Sequence, residues 1–217
     1  MLHLQHFTIA ETHHANQRLM FVTVASYKGG VGKTTTAVHL AAYLQRLAPT
    51  LLIDGDPNRS ATGWAKRGQM PFTVVDKEEG TFHARNFEHV VIDTEARAGQ
   101  ADFEILARGC NLLVIPTVPS TLDTDALVLT LAAARQLAPD RYRVLLTKVP
   151  PPPEPDAALL RAELQRQRIP VFRAEVPRLK SFEKAAAEGV PVYQANDPRA
   201  KRAWKSYEDA GKEICNG

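Results

Sequence analysis

The residues best suited to chemistry form one short segment, 26–36, with the sequence Ser-Tyr-Lys-Gly-Gly-Val-Gly-Lys-Thr-Thr-Thr. An apolar, β-branched run precedes it and a helical pattern follows it, which is the strand, turn and helix context of a phosphate-binding loop. Glycines allow a tight turn in which successive N–H groups face one anion at the positive end of the helix. Lys33 would place a charge on the β- and γ-phosphates, and the Thr34 hydroxyl would be a ligand for magnesium.

This loop departs from the usual pattern G-x-x-x-x-G-K-S/T at its first position. The glycine expected there is replaced by Tyr27, and a second lysine, Lys28, follows directly. Read alone, the loop predicts only that a phosphorylated ligand binds. The extra lysine decides which branch of the nucleotide-binding proteins the chain resembles.

Three aspartates follow two apolar runs further along the chain. Asp54 and Asp56 come after 51–53, and Asp93 comes after 90–92. In parallel sheets the ligand lies outside the carboxyl ends of the strands, where the phosphate loop also lies. Asp93 suits the acid that holds magnesium, usually through water. Asp54 or Asp56 would orient the attacking water or complete the outer shell of the metal. Asp56 could also cap a helix that begins near Arg59.

The positions of these residues depend on an alternation of strand and helix patterns, which is typical of an α/β fold with a mostly parallel, twisted sheet and helices on both faces. The predicted strands are 20–26, 50–54, 88–93, 111–116, 142–147 and 169–174, with a short strand at 72–75 and a turn at 77–80. The predicted helices are 34–47, 59–67, 98–109, 121–137, 156–167, 179–188 and 197–213. The proline-rich segment 150–155 predicts a stiff connector.

Composition is that of a soluble globular protein, with 44% hydrophobic and 24% charged residues among 217. We expect a flexible extension over 1–19 and one domain over 20–217. The two distant cysteines favour a reducing cytoplasm, and we expect neither a membrane-spanning helix nor a signal peptide. Residues 1–140 carry 12 Lys and Arg against 14 Asp and Glu, whereas residues 141–217 carry 15 against 10. The basic final third would suit a polyanion, or else form an ordinary solvated helical surface.

The segment 28–35 resembles the deviant Walker A phosphate loop of the ParA/MinD group of P-loop ATPases. Segment 54–62 is similar to the first switch of that group, and 90–94 to its magnesium-binding strand. Further similar segments are 115–120 with Leu122 and Asp123, 145–147, 176–178, 182–185 and 189–192. The resemblance covers about residues 20–205 and is strongest to the small, single-domain ParA partition ATPases of plasmids and chromosomes.

This resemblance implies that ATP and Mg²⁺ bind and that two ATP-bound subunits close face to face. Lys33 would contact the phosphates bound in its own subunit, and Lys28 would contact those of the partner. Asp56 would orient the hydrolytic water. These three would be the catalytic residues. The nucleotide-binding residues would be Lys28, Gly29, Gly30, Val31, Gly32, Lys33, Thr34 and Thr35, with Thr147 and Pro177 against the adenine. The metal would be held by Thr34, Asp54 and Asp93.

The resemblance further implies non-specific DNA binding by the ATP dimer, for which Arg178, Lys180, Lys201 and Arg202 are our candidates. The protein would be cytoplasmic, would associate with the nucleoid when ATP-bound, and would not bind membrane. A ParB-like or other cargo-adaptor protein would stimulate weak ATP hydrolysis. One departure is Glu95, which stands where the family usually has proline, two positions after the magnesium aspartate. Two alternatives stay open: a P-loop metabolic enzyme such as an ATP-dependent ligase or small-molecule kinase, and a regulator that binds nucleotide without hydrolysing it.

Overall fold

The computed structural model describes residues 20–95, 100–119, 124–138 and 140–216. Its strands are β1 (Met20–Val24), β2 (Thr50–Gly55), β3 (Thr73–Asp76), β4 (His89–Thr94), β5 (Leu112–Thr117), β6 (Tyr142–Val149) and β7 (Val171–Pro177). Its helices are α1 (Lys33–Leu44), α2 (Ser60–Ala65), α3 (Lys77–His83), α4 (Gln100–Gly109), α5 (Thr124–Leu137), α6 (Asp156–Arg166), α7 (Lys180–Glu188) and α8 (Ala200–Asn216). Short 3-10 turns lie at Ala84–Asn86 and Val192–Gln194.

The strands form one sheet in the order β3-β2-β4-β1-β5-β6-β7, and every neighbouring pair is parallel. Helices α1, α2, α7 and α8 contribute to the core on one face of the sheet, and α4, α5 and α6 contribute to the core on the other. This confirms the predicted α/β fold with helices on both faces. Because β1 lies between β4 and β5, the loop that follows β1 leaves from the middle of the carboxyl edge of the sheet.

The predicted strands and helices all occur, with ends that differ by a few residues. The predicted turn at 77–80 is wrong, because these residues begin α3. The Asp76 side chain accepts the backbone N–H of Glu79 at 3.0 Å, so a capping aspartate starts a helix at the segment that was predicted to be a turn. Residues 150–155 lie outside helices and strands, as expected for the proline-rich connector.

Helix α1 carries the end of the phosphate loop and is buried between the sheet and α8. Its His39 is fully buried, with Nδ1 at 2.6 Å from the Thr35 carbonyl and Nε2 accepting the Val192 N–H at 3.0 Å. The His39 ring stacks on Tyr207 of α8 with centroids 4.8 Å apart, and the Tyr207 and Thr36 hydroxyls are 3.1 Å apart. The helix that positions the loop is therefore fixed by specific polar contacts as well as by apolar packing.

Strand β7 is one edge of the sheet, and its pairing with β6 is irregular between Val144 and Val149. On β7 the N–H groups of Arg173 and Ala174 donate to the Glu213 carboxylate of α8, at 2.9 and 2.8 Å. Helix α8 thus supplies hydrogen-bond acceptors that the neighbouring strand does not.

Several sequence-based expectations fall outside the described residues: the extension 1–19 and the similar positions Ser120, Leu122 and Asp123. Among the residues that are described, no helix is both long enough and apolar enough to cross a membrane.

Candidate nucleotide-binding site

The loop between β1 and α1 turns through two glycines in the left-handed region. Gly30 has φ 74° and Gly32 has φ 89°, values that residues with side chains adopt at a cost. Gly32 is the N-cap of α1, and its carbonyl accepts the first helical hydrogen bond from Thr36 N–H at 2.8 Å. The loop therefore ends at a helix N-terminus, where backbone N–H groups favour an anion.

Lys33 is the first residue of α1 and is 8% exposed. Its Nζ donates to the Lys28 carbonyl at 2.9 Å, so the side chain folds back over the loop. Burial lowers the pKa of Lys33, while the nearby carboxylates of Asp93 and Asp56 act in the opposite direction. This places one desolvated cation beside the loop, where it would interact strongly with phosphate.

Contacts from both sides fix the loop. On the β6 side, the Thr147 hydroxyl donates to the Val31 carbonyl at 2.8 Å, and Lys148 Nζ donates to the Gly30 carbonyl at 2.6 Å. On the other side, Tyr27 N–H donates to the Thr130 hydroxyl at 3.2 Å and the Tyr27 ring stacks on Phe103, with centroids 5.0 Å apart. Tyr27, which replaces the usual first glycine, thus anchors the loop to the α4–α5 side of the sheet.

Asp93 lies at the end of β4, directly beside β1, and is fully buried. No hydrogen bond of ordinary length reaches either carboxylate oxygen from the described residues, although the Thr34 hydroxyl acts on this carboxylate. Burial raises the pKa of Asp93 from 3.8 to about 7; Asp54 and Asp56 add to this rise, and the Thr34 hydroxyl and Lys33 oppose it. A carboxylate that is buried with so little hydrogen bonding is costly unless a cation binds it.

These residues fit a magnesium ion of the kind that accompanies a nucleotide. Mg²⁺ takes one or two protein oxygens and completes its shell with water and substrate phosphates. Thr34 and Asp93 would be those protein groups, with Asp93 acting directly or through water. The described residues contain no cluster of three or more His, Cys, Asp or Glu side chains that would hold a metal without a phosphate ligand.

The other two aspartates organise the segment between β2 and α2. Buried Asp54 accepts the N–H groups of Asp56 at 3.2 Å and of Thr62 at 2.7 Å. Asp56 accepts the backbone and side-chain N–H groups of Asn58, both at 3.0 Å, and the Ser60 hydroxyl at 3.0 Å. Asp54, and not Asp56, therefore satisfies a backbone N–H at the start of α2, which corrects the capping role considered for Asp56. The roles of Asp54 in the metal shell and of Asp56 in orienting water stay predictions.

A cavity of about 740 Å³ opens at the loop. Predicted residues that line it are Gly29, Gly30, Gly32, Lys33, Thr34, Thr35 and Asp56. Its volume lies in the range of about 300–1,000 Å³ typical of small-molecule sites. Lys28, Val31, Asp54, Asp93, Thr147 and Pro177 are not among its described lining residues. The predicted contacts of Thr147 and Pro177 with adenine, and of Lys28 with a partner subunit, stay predictions.

One wall of the cavity was not predicted from the sequence. This wall is formed by Trp64 of α2, Arg67 just after α2, and Ala186 of α7. Arg59, Glu95 and Lys148 line other parts of the cavity. Trp64 Nε1 donates to the Val190 carbonyl at 3.1 Å, and Arg67 Nε donates to the Ala186 carbonyl at 2.7 Å. These contacts join residues more than one hundred positions apart, and no motif marks them. Arg59 lies within a segment of the resemblance, Lys148 and Ala186 each directly follow one, and Glu95 was noted as a departure from the family.

The basic candidates lie away from this cavity. Arg178 is exposed and its Nη2 is 3.7 Å from Glu154 Oε1. Lys180, Lys201 and Arg202 are exposed and have no ion-pair partner among the described residues. They occupy the first turns of α7 and α8. A hydrogen bond of 2.7 Å between Ser181 Oγ and Asp197 Oδ1 connects the start of α7 to the segment before α8.

A central phosphate loop in a parallel sheet, with acids at the ends of the neighbouring strands, defines a P-loop nucleotide-binding protein. Residues 22–192 match the CobQ/CobB/MinD/ParA nucleotide-binding domain family (CbiA), and the chain belongs to that family. The resemblance to ParA/MinD-type ATPases is thereby confirmed.

Two similar proteins and one solved structure show which members of this family the chain resembles. Maintenance of carboxysome distribution protein A from Gloeobacter kilaueensis is 34% identical over 200 residues, which cover 89% of this chain and 93% of that protein. ParA from Rhizobium radiobacter is 35% identical over 145 residues, or 60% of this chain and 65% of that protein. The structure of an ATP complex of McdA from Cyanothece has a TM-score of 0.69 and 16% identity, covering 89% of this chain and 96% of that one. At this identity the structural similarity shows the fold alone.

Proposed function

We propose that the protein is a ParA-like ATPase that binds MgATP, closes into a dimer, and positions a large cargo on DNA. The observation that carries this proposal is the pairing of a buried, loop-bound Lys33 with the buried Asp93 carboxylate, which no hydrogen bond of ordinary length reaches from the described residues. A cation for phosphate and an anion for magnesium, both buried, suit a phosphate–magnesium pair better than an uncharged ligand.

In this proposal the residues of one subunit bind and orient the nucleotide. The loop N–H groups and Lys33 bind the phosphates, and Thr34 and Asp93 hold magnesium, which when bound neutralises charge on the phosphates. Asp56 lines the cavity and would orient the hydrolytic water. Its carboxylate is held by Asn58 and Ser60, so its position is defined before the ligand binds.

Dimerisation would depend on Lys28. This side chain is half-buried and is not among the described residues that line the cavity of its own subunit. A second copy facing the loop would bring Lys28 to the phosphates of its partner. ATP would favour this dimer over ADP because the γ-phosphate adds negative charge at the junction.

DNA would bind at the start of α7 and α8. Lys180, Lys201 and Arg202 are exposed cations on connected segments, and Arg178 is held only weakly by exposed Glu154 at 3.7 Å. Contacts of this type are made to phosphates, so binding would be independent of base sequence and would weaken steeply with salt. The protein would then be cytoplasmic and nucleoid-associated when ATP-bound.

The cargo would be a plasmid, a chromosome or a protein assembly, connected through a ParB-like or other adaptor protein that stimulates weak hydrolysis. The similarity to a protein named for carboxysome distribution, over 93% of that protein, favours a protein assembly.

The direct test is binding of random-sequence DNA at low salt with ATP and with ADP, using Lys33→Ala as the variant that cannot hold nucleotide. We expect tighter binding with ATP in the wild type and no difference between nucleotides in Lys33→Ala. Equal binding with ATP and ADP in the wild type would refute the proposal. Turnover stimulated by a small metabolite without DNA would instead indicate a metabolic P-loop enzyme, and phosphate release at background level even with DNA and an adaptor would indicate a non-hydrolysing regulator.

A further inference from the structure

Arg59 occupies an unusual backbone position beside the nucleotide cavity. It is the N-cap of α2 and has φ 51° and ψ 46°, in the left-handed region that a residue with a side chain adopts at a cost. Its N–H donates to the Asp56 carbonyl and its carbonyl accepts the Gly63 N–H, both at 2.7 Å. Two backbone hydrogen bonds thus fix Arg59 on the same segment as Asp56.

The guanidinium group of Arg59 is held much less firmly than its backbone. Nη2 is 3.4 Å from Asp76 Oδ2, which is long for a hydrogen bond, and the side chain is 59% exposed. Asp76 also accepts the Glu79 N–H at the start of α3, through its other oxygen. An exposed pair of this geometry contributes little, so the guanidinium can leave Asp76 at small cost.

The other described arginine that lines the cavity differs in this respect. Arg67 Nε donates to the Ala186 carbonyl at 2.7 Å and so joins α2 to α7. Arg59 lines the same cavity as Lys33, Thr34 and Asp56, and its guanidinium donates to the Asp76 carboxylate at 3.4 Å and not to a backbone carbonyl. It is therefore the cavity arginine that is available to a ligand.

We infer that Arg59 is a catalytic residue that binds the γ-phosphoryl oxygens during hydrolysis, and that Asp76 holds it away between turnovers. This inference rests on the proposed ATPase function. Water attacks the γ-phosphorus, the bond to the oxygen bridging to the β-phosphate breaks, and ADP leaves with that oxygen. The transferred group becomes inorganic phosphate, and the proton that the water loses passes to solvent. Arg59 exchanges no proton in this step. Its planar guanidinium group donates two parallel N–H hydrogen bonds and neutralises charge on the transferred group.

The test compares Arg59→Gly, Arg59→Lys and Asp76→Asn with the wild type. Glycine suits the left-handed backbone, so Arg59→Gly should fold, which thermal denaturation checks. Asparagine keeps the helix cap of α3 and removes the charge that holds Arg59. Arg166→Gln is the control, because Arg166 is an exposed arginine on α6 that pairs with Glu163 and does not belong to the described cavity lining.

Two readouts are needed: single-turnover hydrolysis of γ-labelled ATP, and affinity for ADP with and without aluminium fluoride. We expect Arg59→Gly to lower the rate at least about 100-fold and Arg59→Lys to be intermediate, since lysine lacks the planar guanidinium group. Arg59→Gly should also weaken binding of the aluminium fluoride complex at least tenfold while leaving ADP affinity unchanged. Asp76→Asn should raise the rate, by up to about fivefold.

A rate for Arg59→Gly within threefold of the wild type, with unchanged affinity for the aluminium fluoride complex, would overturn the inference. A fall in rate for Asp76→Asn would contradict the holding role of Asp76 and point to a structural ion pair. Absence of turnover in the wild type, with DNA and an adaptor present, would refute the proposed function itself. That result is distinct from a change confined to the Arg59 variants.

Discussion

Acidification should destabilise the nucleotide-free protein through His39. Both ring nitrogens are used in the neutral form: Nδ1–H donates to the Thr35 carbonyl, and Nε2 accepts the Val192 N–H. Protonation would place a second N–H against the Val192 N–H and would charge a group packed among aromatic rings. Burial lowers the pKa of His39 from 6.5 to about 4.

The magnitude follows from proton linkage. Because the folded pKa lies below the unfolded value, the unfolded chain binds more protons between about pH 6.5 and pH 4, and stability is lost as pH falls through that window. At pH 5 the contribution of His39 is about 2 kcal/mol relative to neutral pH. For a domain of this size, that corresponds to a decrease in Tm of about 4–8 °C.

Other buried groups titrate in the same range, so the comparison must isolate His39. Asp93, with its pKa raised to about 7, binds protons in the folded state and stabilises it on acidification, which opposes His39. His89 is buried with a lowered pKa and acts in the same direction as His39. The informative quantity is therefore the change in Tm between pH 7.5 and pH 5, measured for the wild type and for His39→Gln.

Glutamine can donate to one of the two His39 partners and accept from the other, but it does not titrate. Its loss of ring contacts lowers the Tm at every pH, and the difference between the two pH values removes that effect. We expect the wild type to lose about 4–8 °C more than His39→Gln between pH 7.5 and pH 5. Equal losses would show that His39 does not titrate with a lowered pKa, and a smaller loss in the wild type would reverse the assigned sign.

Four further substitutions test the site. Lys33→Ala should abolish nucleotide binding by calorimetry, because it removes the buried cation of the loop; retained binding would contradict its phosphate role. Lys28→Ala should bind nucleotide yet no longer dimerise with ATP, as measured by light scattering, and a normal dimer would rule out the cross-subunit contact. Asp56→Ala should accumulate the ATP dimer with little phosphate release, whereas ordinary turnover would exclude its water-orienting role. Thr147→Val should lose the hydroxyl bond to the Val31 carbonyl and about 1–3 kcal/mol of stability, and an unchanged Tm would show that this bond contributes nothing.

The sequence predicted the loop, the acids and the sheet because each has a local pattern. The phosphate loop follows the apolar strand β1 and Asp93 lies at the end of the apolar strand β4. Parallel pairing brings the ends of neighbouring strands to one edge. The strand patterns and the proline-rich connector could likewise be predicted from residues that are neighbours in the sequence. The α3 helix was missed although Asp76 and Glu79 form its N-terminal pattern, since the segment was predicted to be a turn and that pattern was not used.

The remaining features depend on contacts that a local pattern does not contain. Trp64 and Arg67 are held in the cavity wall by hydrogen bonds to the carbonyls of Val190 and Ala186. These partners lie more than one hundred residues further along the chain, so no local sequence pattern contains the contact. The division of roles between Asp54 and Asp56 similarly depends on the exact path of the segment that leads into α2. The tertiary structure determines the cavity wall and the hydrogen bonds of the two aspartates, so they could not be predicted from local sequence patterns.

The Glu213 contact with β7 also affects how the protein behaves toward other chains. An edge strand with free N–H groups is a template on which another strand can add, which leads to aggregation. Here the Arg173 and Ala174 N–H groups are occupied by a carboxylate, and the pairing of β7 with β6 is irregular. Helix α8 therefore removes two backbone donors of the edge strand from pairing with another strand, while its opposite end carries the exposed cations Lys201 and Arg202.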